Sequence, residues 1–93
     1  MKILIEYLYD AIKASGNKIT VAAIIRDEEG NNITDSCYFC LYNETDEELM
    51  KVYGTFDTEQ WEFTVPLEGL DGRYFYIIGR NGEDLCFKTP FYV

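Results

Sequence analysis

The three cysteines have the widest chemical range of any side chains in this 93-residue chain, since thiols act as nucleophiles, redox partners and zinc ligands. Cys37 and Cys40 have the C-x-x-C spacing of redox and zinc motifs, and Cys86 stands far from them. The chain has no histidine, which excludes Ser-His-Asp and Cys-His catalysis and any zinc site with a histidine ligand. In an extended strand, residues three apart point to opposite faces, so the first two thiols diverge. We therefore expect reduced, partly buried thiols with no redox or metal role.

Carboxylates are concentrated in two runs, residues 27–29 (DEE) and 44–48 (ETDEE). Oxygen-rich loops can hold calcium, but neither run has the spacing of the twelve-residue calcium loop. A carboxylate pair for glycoside hydrolysis needs a cleft, for which a chain of this length has little room. We expect both runs to be solvated turns, and we predict a protein that is not an enzyme and uses no cofactor or metal.

The composition limits the classes of partner that the chain can bind. Eight basic and seventeen acidic residues give a net charge of -9, which repels nucleic-acid backbones and anionic membranes. Direct binding to nucleic acid or to a membrane is therefore disfavoured. With 47% apolar and 16% aromatic residues, the chain should fold as a single domain over residues 1–93 without a ligand.

The N-terminal run, residues 1–16, contains one early lysine and then apolar residues that are interrupted by Glu6 and Asp10. It lacks the continuous apolar region of a signal peptide. No other run approaches the ~18 to 20 apolar residues of a membrane helix. We therefore expect synthesis in the cytoplasm without an export signal.

Turn signals recur about every 8 to 12 residues, and β-branched and aromatic runs separate them, which is typical of an all-β sandwich or barrel. The first strand is predicted near residues 2–9. A helix over residues 3–14 is the alternative, and the β-branched and aromatic content favours the strand. The other strands are predicted over residues 18–26, 37–42, 48–56, 60–65, 73–79 and 84–93. Gly54 is expected to mark a bulge or bend, and Pro90 an edge or bulge position.

Two stretches carry a resemblance to a known family. Residues 14–33, ASGNKITVAAIIRDEEGNNI, resemble the start of bacterial immunoglobulin-like domains of the invasin and intimin type. The matching positions are Gly16, Ile19, Val21, Ala23, Ile25, Asp27, Gly30, Asn31 and Ile33. Residues 61–79, WEFTVPLEGLDGRYFYIIG, are similar to immunoglobulin-like and fibronectin-type modules in general. The resemblance implies an immunoglobulin-like antiparallel β-sandwich of about seven strands, with Tyr74 as a tyrosine-corner residue whose hydroxyl bonds back to the turn.

The surplus of aromatic residues points to a contact surface. Trp61, Phe63, Phe39 and Tyr74 are assigned to the core, so the other aromatics are expected on outer faces or edges, where rigid rings favour protein contact. The predicted interaction residues are Tyr38, Tyr42, Tyr53, Phe91 and Tyr92. The first strand and the C-terminal TPFYV are the edges expected to pair with a protein partner or with another copy of the chain.

Domains of the invasin type normally occur in tandem on exported proteins, whereas a lone domain made in the cytoplasm suits an assembly that forms there. We therefore predict an accessory or structural component of a phage particle that acts by protein contact. Two alternatives remain open. An acidic inhibitor or nucleic-acid mimic that binds a basic groove of a host defence enzyme would present one contiguous acidic face that includes both carboxylate runs. A carbohydrate-binding module would stack sugars on Tyr38 and Tyr42.

Overall fold

A computed structural model of the chain describes residues 3–15 and 17–93. Over these residues every regular element is a β-strand. The strands are β1 (Ile3–Ser15), β2 (Lys18–Asp27), β3 (Cys37–Tyr42), β4 (Glu48–Tyr53), β5 (Thr55–Asp57), β6 (Gln60–Pro66), β7 (Arg73–Arg80), β8 (Glu83–Asp84) and β9 (Thr89–Tyr92). The prediction of an all-β protein is confirmed.

Two antiparallel sheets pack face to face as a β-sandwich. The first sheet has the order β1-β2-β6-β5. In the second sheet the order is β4-β3-β7, and both β8 and β9 pair with the far side of β7. The predicted seventh strand is interrupted between β8 and β9, and the predicted fourth strand is divided between the two sheets, so the strands outnumber the expected seven.

The N-terminal segment is a strand, as predicted, and not a helix. β1 pairs with β2 from Ile3 to Ser15, well beyond the predicted end at residue 9. The register shifts between Tyr7 and Ile12, where β1 has more residues than its partner strand. Such a bulge absorbs the stretch that does not alternate and lets pairing resume afterwards.

The core is built from alternate residues of the central strands, which point inward because side chains alternate across a strand. It contains Ile19, Val21, Ala23 and Ile25 of β2, Cys37, Phe39 and Leu41 of β3, Trp61, Phe63 and Val65 of β6, Tyr76 and Ile78 of β7, Phe91 of β9, and Ile33. Phe39 stacks on Tyr76 with ring centroids 4.9 Å apart. Burial of each large apolar side chain contributes about 1.5–3 kcal/mol, so this layer dominates the stability of the fold.

Gly54 is the single residue at which the chain passes from the second sheet back to the first. β4 ends at Tyr53 in the second sheet, and β5 begins at Thr55 in the first. A Cβ atom on Gly54 would lie 2.6 Å from the ring of Phe63 and 2.9 Å from that of Trp61. Only glycine therefore fits the crossing, and the predicted bend is confirmed.

The first carboxylate run forms a turn that specifies the fold. The Asp27 carboxylate accepts hydrogen bonds from the backbone N–H groups of Glu29 and Asn31, both at 2.9 Å. Gly30 occupies the left-handed region with φ of 87°. The chain then continues to Ile33, whose carbonyl accepts a buried hydrogen bond from the Trp61 indole at 2.6 Å. The turn thus fixes the path from β2 towards β3.

Tyr74 closes a second turn, as the resemblance implied. Its hydroxyl accepts a hydrogen bond from the Asp71 N–H at 2.9 Å and donates to the Asp71 carbonyl at 3.1 Å. The ring packs against the core from the start of β7. The prediction that this hydroxyl bonds back to the turn backbone is confirmed.

Candidate functional site

The second sheet carries side chains on the surface that faces away from the first sheet. We call this surface the outer face. Residues directly opposite one another in a pair of strands share a face, so the register defines its members. They are Tyr38, Cys40 and Tyr42 of β3, Glu48, Lys51 and Tyr53 of β4, Arg73, Phe75, Ile77 and Gly79 of β7, and Pro90 and Tyr92 of β9. Aromatic and basic side chains make up most of this set.

The middle of the outer face is a small cluster that is separate from the core. Tyr38, Cys40 and Ile77 are buried there, although no second layer lies over them in the described part of the chain. Gly79 makes this possible, since a Cβ atom at that position would lie 2.6 Å from the Tyr38 ring. Tyr53 packs edge to face on Tyr38 with ring centroids 5.6 Å apart. The outer face is thus covered by its own side chains.

Three cations complete this cover, each placed over a different ring. The Lys51 ammonium lies 4.5 Å from the centroid of the Tyr38 ring. The Lys88 ammonium lies 4.2 Å from the centroid of the Tyr42 ring. The Arg73 guanidinium lies 5.0 Å from the centroid of the Phe75 ring. The chain has eight basic residues in all, so three of them are concentrated on one surface of an acidic protein. Cations over aromatic faces are attracted by the ring quadrupole.

The segment of residues 84–88, which runs from the last residue of β8 to the start of β9, borders the outer face. It lines an open groove of about 580 Å³. Phe87, within this segment, is 94% exposed. Its neighbour Lys88 covers the Tyr42 ring and forms an ion pair with Asp46. Phe87 thus adds a third exposed aromatic ring to those of Tyr53 and Tyr92 on the outer face.

The predicted interaction residues do not all reach the surface. Tyr53 is 65% exposed and Tyr92 70%, whereas Tyr42 is partly buried and Tyr38 buried, both on the outer face. The placement of Phe91 at the surface is wrong, because its side chain is 6% exposed and belongs to the core.

The register of β9 explains this correction. Phe91 lies opposite Tyr74 of β7, and both side chains pack inward. The Phe91 ring meets the rings of Phe39 and Tyr76, each with centroids 6.1 Å apart. Tyr92 therefore points outward, because neighbours in a strand alternate. The sequence reasoning also missed Phe87, which it placed inside a strand.

The cysteines lie where the strand argument predicts. Cys37 is in the core and Cys40 on the outer face, so the two thiols point apart. Burial raises the pKa of the Cys37 thiol to about 11, and burial also raises that of Cys40. Cys86 accepts a hydrogen bond from the Ile78 N–H at 3.3 Å. All three are free thiols, and the raised pKa values of the first two oppose nucleophilic chemistry at neutral pH.

A polar contact joins the outer face to the second carboxylate run. The Cys40 thiol donates to the Glu48 carboxylate at 3.1 Å. Hydrogen bonding with Cys40, with burial as a smaller cause, raises the pKa of the Tyr42 hydroxyl above its ordinary value. Tyr42 is therefore a neutral phenol at physiological pH, and its ring stays a good partner for the ammonium of Lys88.

The two carboxylate runs form similar turns at different places. Asn43 closes the second turn, since its side-chain oxygen accepts from the N–H of Thr45 at 3.0 Å and of Glu47 at 2.9 Å. The first turn precedes β3 and the second follows it, so they lie at opposite ends of that strand. Within residues 17–93, no group of three or more acidic or cysteine side chains is arranged to hold a metal ion.

Searches against models of protein families, curated proteins and solved structures return no match for this chain. In the part of the chain that the structure describes, no helix is long and apolar enough to span a membrane.

Proposed function

We propose that the chain is a non-enzymatic interaction module that binds another protein through the outer face and the segment 84–88. The observation that carries this proposal is the Phe87 side chain, 94% exposed at the border of the outer face. Aromatic side chains of this kind serve as anchors that a partner surrounds, and burial of one contributes about 1.5–3 kcal/mol. The rest of the outer face supplies a ring of further contacts, including Tyr53 and Tyr92.

We also propose that the sandwich is of the immunoglobulin-like type. Its first sheet, β1-β2-β6-β5, corresponds to the order A-B-E-D of immunoglobulin domains, and β3, β7 and β9 correspond to C, F and G. The hydroxyl of Tyr74 at the start of β7 supports the same assignment.

The test is an affinity-tagged chain that is expressed in its native host and cross-linked, with the bound proteins quantified by mass spectrometry. Phe87→Ala and Tyr92→Ala should each reduce recovery of a specific partner at least about tenfold, which corresponds to a loss of about 1.4 kcal/mol. Thr64→Ala is the matched control, because Thr64 is exposed on the first sheet. Equal recovery with all three variants would show that the outer face is not the docking surface.

A component of a phage particle remains our proposal for the setting of this contact. It rests on the resemblance to immunoglobulin-like modules together with the expected synthesis in the cytoplasm without an export signal. Purified particles from a lysate of the host would contain the chain in a fixed ratio to the other structural proteins. Its absence from washed particles, measured by quantitative mass spectrometry, would exclude this setting and leave the docking surface unaffected.

The two alternative functions receive less support from the geometry. A nucleic-acid mimic would need the two carboxylate turns on one face, and they lie at opposite ends of β3. Sugar stacking on Tyr38 and Tyr42 would need open rings, and Lys51 and Lys88 already lie over them. Protein contact is thus the better-supported function of the aromatic surface.

A further inference from the structure

The two edges of the second sheet differ in what they offer to another strand. On the free side of β9, hydrogen-bond donors are scarce. Gly72 and Val93 exchange backbone hydrogen bonds of 3.3 and 2.9 Å, which fixes the phase of the pairing with β7. Bonding alternates along an antiparallel pair, so the N–H of Phe91 faces β7 and the backbone groups of Pro90 and Tyr92 face away. Proline has no N–H, so this edge presents one donor and resists strand pairing.

The free side of β4 presents more backbone hydrogen-bond donors than the free side of β9. The Gly54 N–H donates to the Cys37 carbonyl at 3.1 Å, which fixes the phase of the pairing with β3. By the same alternation, the N–H and C=O groups of Lys51 and Tyr53 face away from β3. β4 contains no proline, and Leu49 and Tyr53, on either side of Lys51, are 38% and 65% exposed. Donors, acceptors and apolar surface thus occur together at this edge.

Charge indicates what kind of strand would fit. Among the described residues Lys51 belongs to no ion pair, and its ammonium rests over the Tyr38 ring. A residue directly opposite Lys51 in an added strand would have its side chain on the same face and next to that ammonium. A carboxylate at that position would form an ion pair with the Lys51 ammonium. Residues two positions to either side would lie beside Leu49 and Tyr53, where apolar side chains would be buried.

We infer that the β4 edge binds an extended acidic segment of the partner protein as an added antiparallel strand, with apolar, acidic and apolar residues at alternate positions. This inference rests on the proposed function, since it names how a partner on the outer face would also engage its edge. A second copy of this chain is a poorer occupant. A two-fold pairing of two copies centred on Lys51 would place two ammonium groups opposite each other, whereas an acidic segment places a carboxylate there.

The probe is the capped peptide Thr-Val-Thr-Glu-Thr-Val-Thr, and its counterpart with Lys in place of Glu is the charge control. Amide hydrogen exchange, measured by NMR at saturating peptide, reports the edge residue by residue. The Lys51 and Tyr53 amides should exchange at least about tenfold more slowly with the acidic peptide, because added strand bonds protect them. The Val52 amide, which faces β3, is the internal reference and should not change.

Two variants test the pairing and the charge separately. Lys51→Pro removes the outward N–H without removing a hydrogen bond to β3, as Pro90 does in β9, and it should abolish the protection. A thermal melt checks that this variant still folds. Lys51→Glu keeps the backbone donor and should reverse the preference between the two peptides, by up to about fivefold in each direction.

Three results would overturn the inference. One is unchanged exchange at Lys51 and Tyr53 at saturating acidic peptide. Another is a dimer of this chain that protects these amides without peptide, because the occupant would then be a second copy. The last is full partner recovery by Lys51→Pro in the cross-linking experiment. If recovery is lost with Phe87→Ala but not with Lys51→Pro, the edge inference fails and the proposed function stands; if neither variant matters, both fail.

Discussion

Aromatic residues are buried on both sides of the second sheet, but what covers them differs between the two sides. On the inner side, Phe39 and its neighbours are covered by the first sheet, so their burial belongs to the backbone architecture. On the outer side, Tyr38 is also buried, but its cover consists of the side chains of Lys51 and Tyr53. Side chains rotate far more easily than sheets separate. The inner side is therefore permanently closed, whereas the outer side is closed in a way that a partner can rearrange.

The sharpest test of this difference uses two adjacent residues of β9. Phe91→Ala should destabilise the fold by about 3–5 kcal/mol, because it leaves a cavity between Phe39 and Tyr76. Tyr92→Ala should change stability by no more than about 0.5 kcal/mol, because the ring is exposed. Urea denaturation followed by tryptophan fluorescence measures both. Similar losses for the two variants would mean that the inner and outer sides of β9 are not distinct.

A second test overfills the outer side. Gly79→Ala places a methyl group against the Tyr38 ring, and we expect a loss of about 1–3 kcal/mol from the overpacking. If the cover of the outer face is adaptable, Tyr38→Leu should recover part of this loss in the double variant. A double-mutant cycle from denaturation curves gives the coupling. Strictly additive effects would contradict direct contact between these two positions.

A third test uses pH and the thiol on the inner side. The pKa of Cys37 is about 11 in the folded chain, against an ordinary value of 9.0, because burial disfavours the thiolate. Its contribution to stability is therefore complete below pH 9.0 and is lost as the pH rises towards about 11, since the unfolded chain releases the proton first. The free energy of unfolding of Cys37→Ala should fall less steeply over this window than that of the wild type. Parallel slopes would show that Cys37 ionises as easily in the fold as outside it.

The smallest expected effect concerns the cations of the outer side. Lys51→Met keeps most of the aliphatic cover over Tyr38 but removes the charge, and the expected loss is about 0.5–1 kcal/mol. Lys18→Met serves as a matched control at an exposed position of β2. Denaturation at low and high salt separates this contribution from general screening. No difference between the two variants would show that the ammonium of Lys51 does not interact appreciably with the ring.

Much of the fold was predictable because single strands carry strong local patterns. In β6, Trp61, Phe63 and Val65 alternate with polar residues, and the structure places all three in the core. The Gly-x-Tyr sequence at the start of β7 likewise predicted the hydrogen bonds of Tyr74. These features depend on neighbours in the sequence, which is the information that a pattern contains.

The candidate site was harder to predict, because it depends on which strands become neighbours. The register of β9 with β7 decides which of its side chains point inward, and hence why Phe91 is buried and Tyr92 exposed. The exposure of Phe87 arises because the last predicted strand breaks after β8, although its sequence reads as continuous. The stacking of cations over rings joins residues far apart in the chain, such as Lys88 and Tyr42. No local pattern contains such information.

The crossing at Gly54 has a consequence for how the molecule assembles. A single residue separates β4 from β5, yet their partners, β3 and β6, lie in different sheets. When β4 pairs with β3, the short connection therefore places β5 beside the edge of β6. Detachment of either strand from its sheet would strain the pairing of the other. The two sheets are tied by a one-residue tether, which favours cooperative folding in which neither layer persists alone.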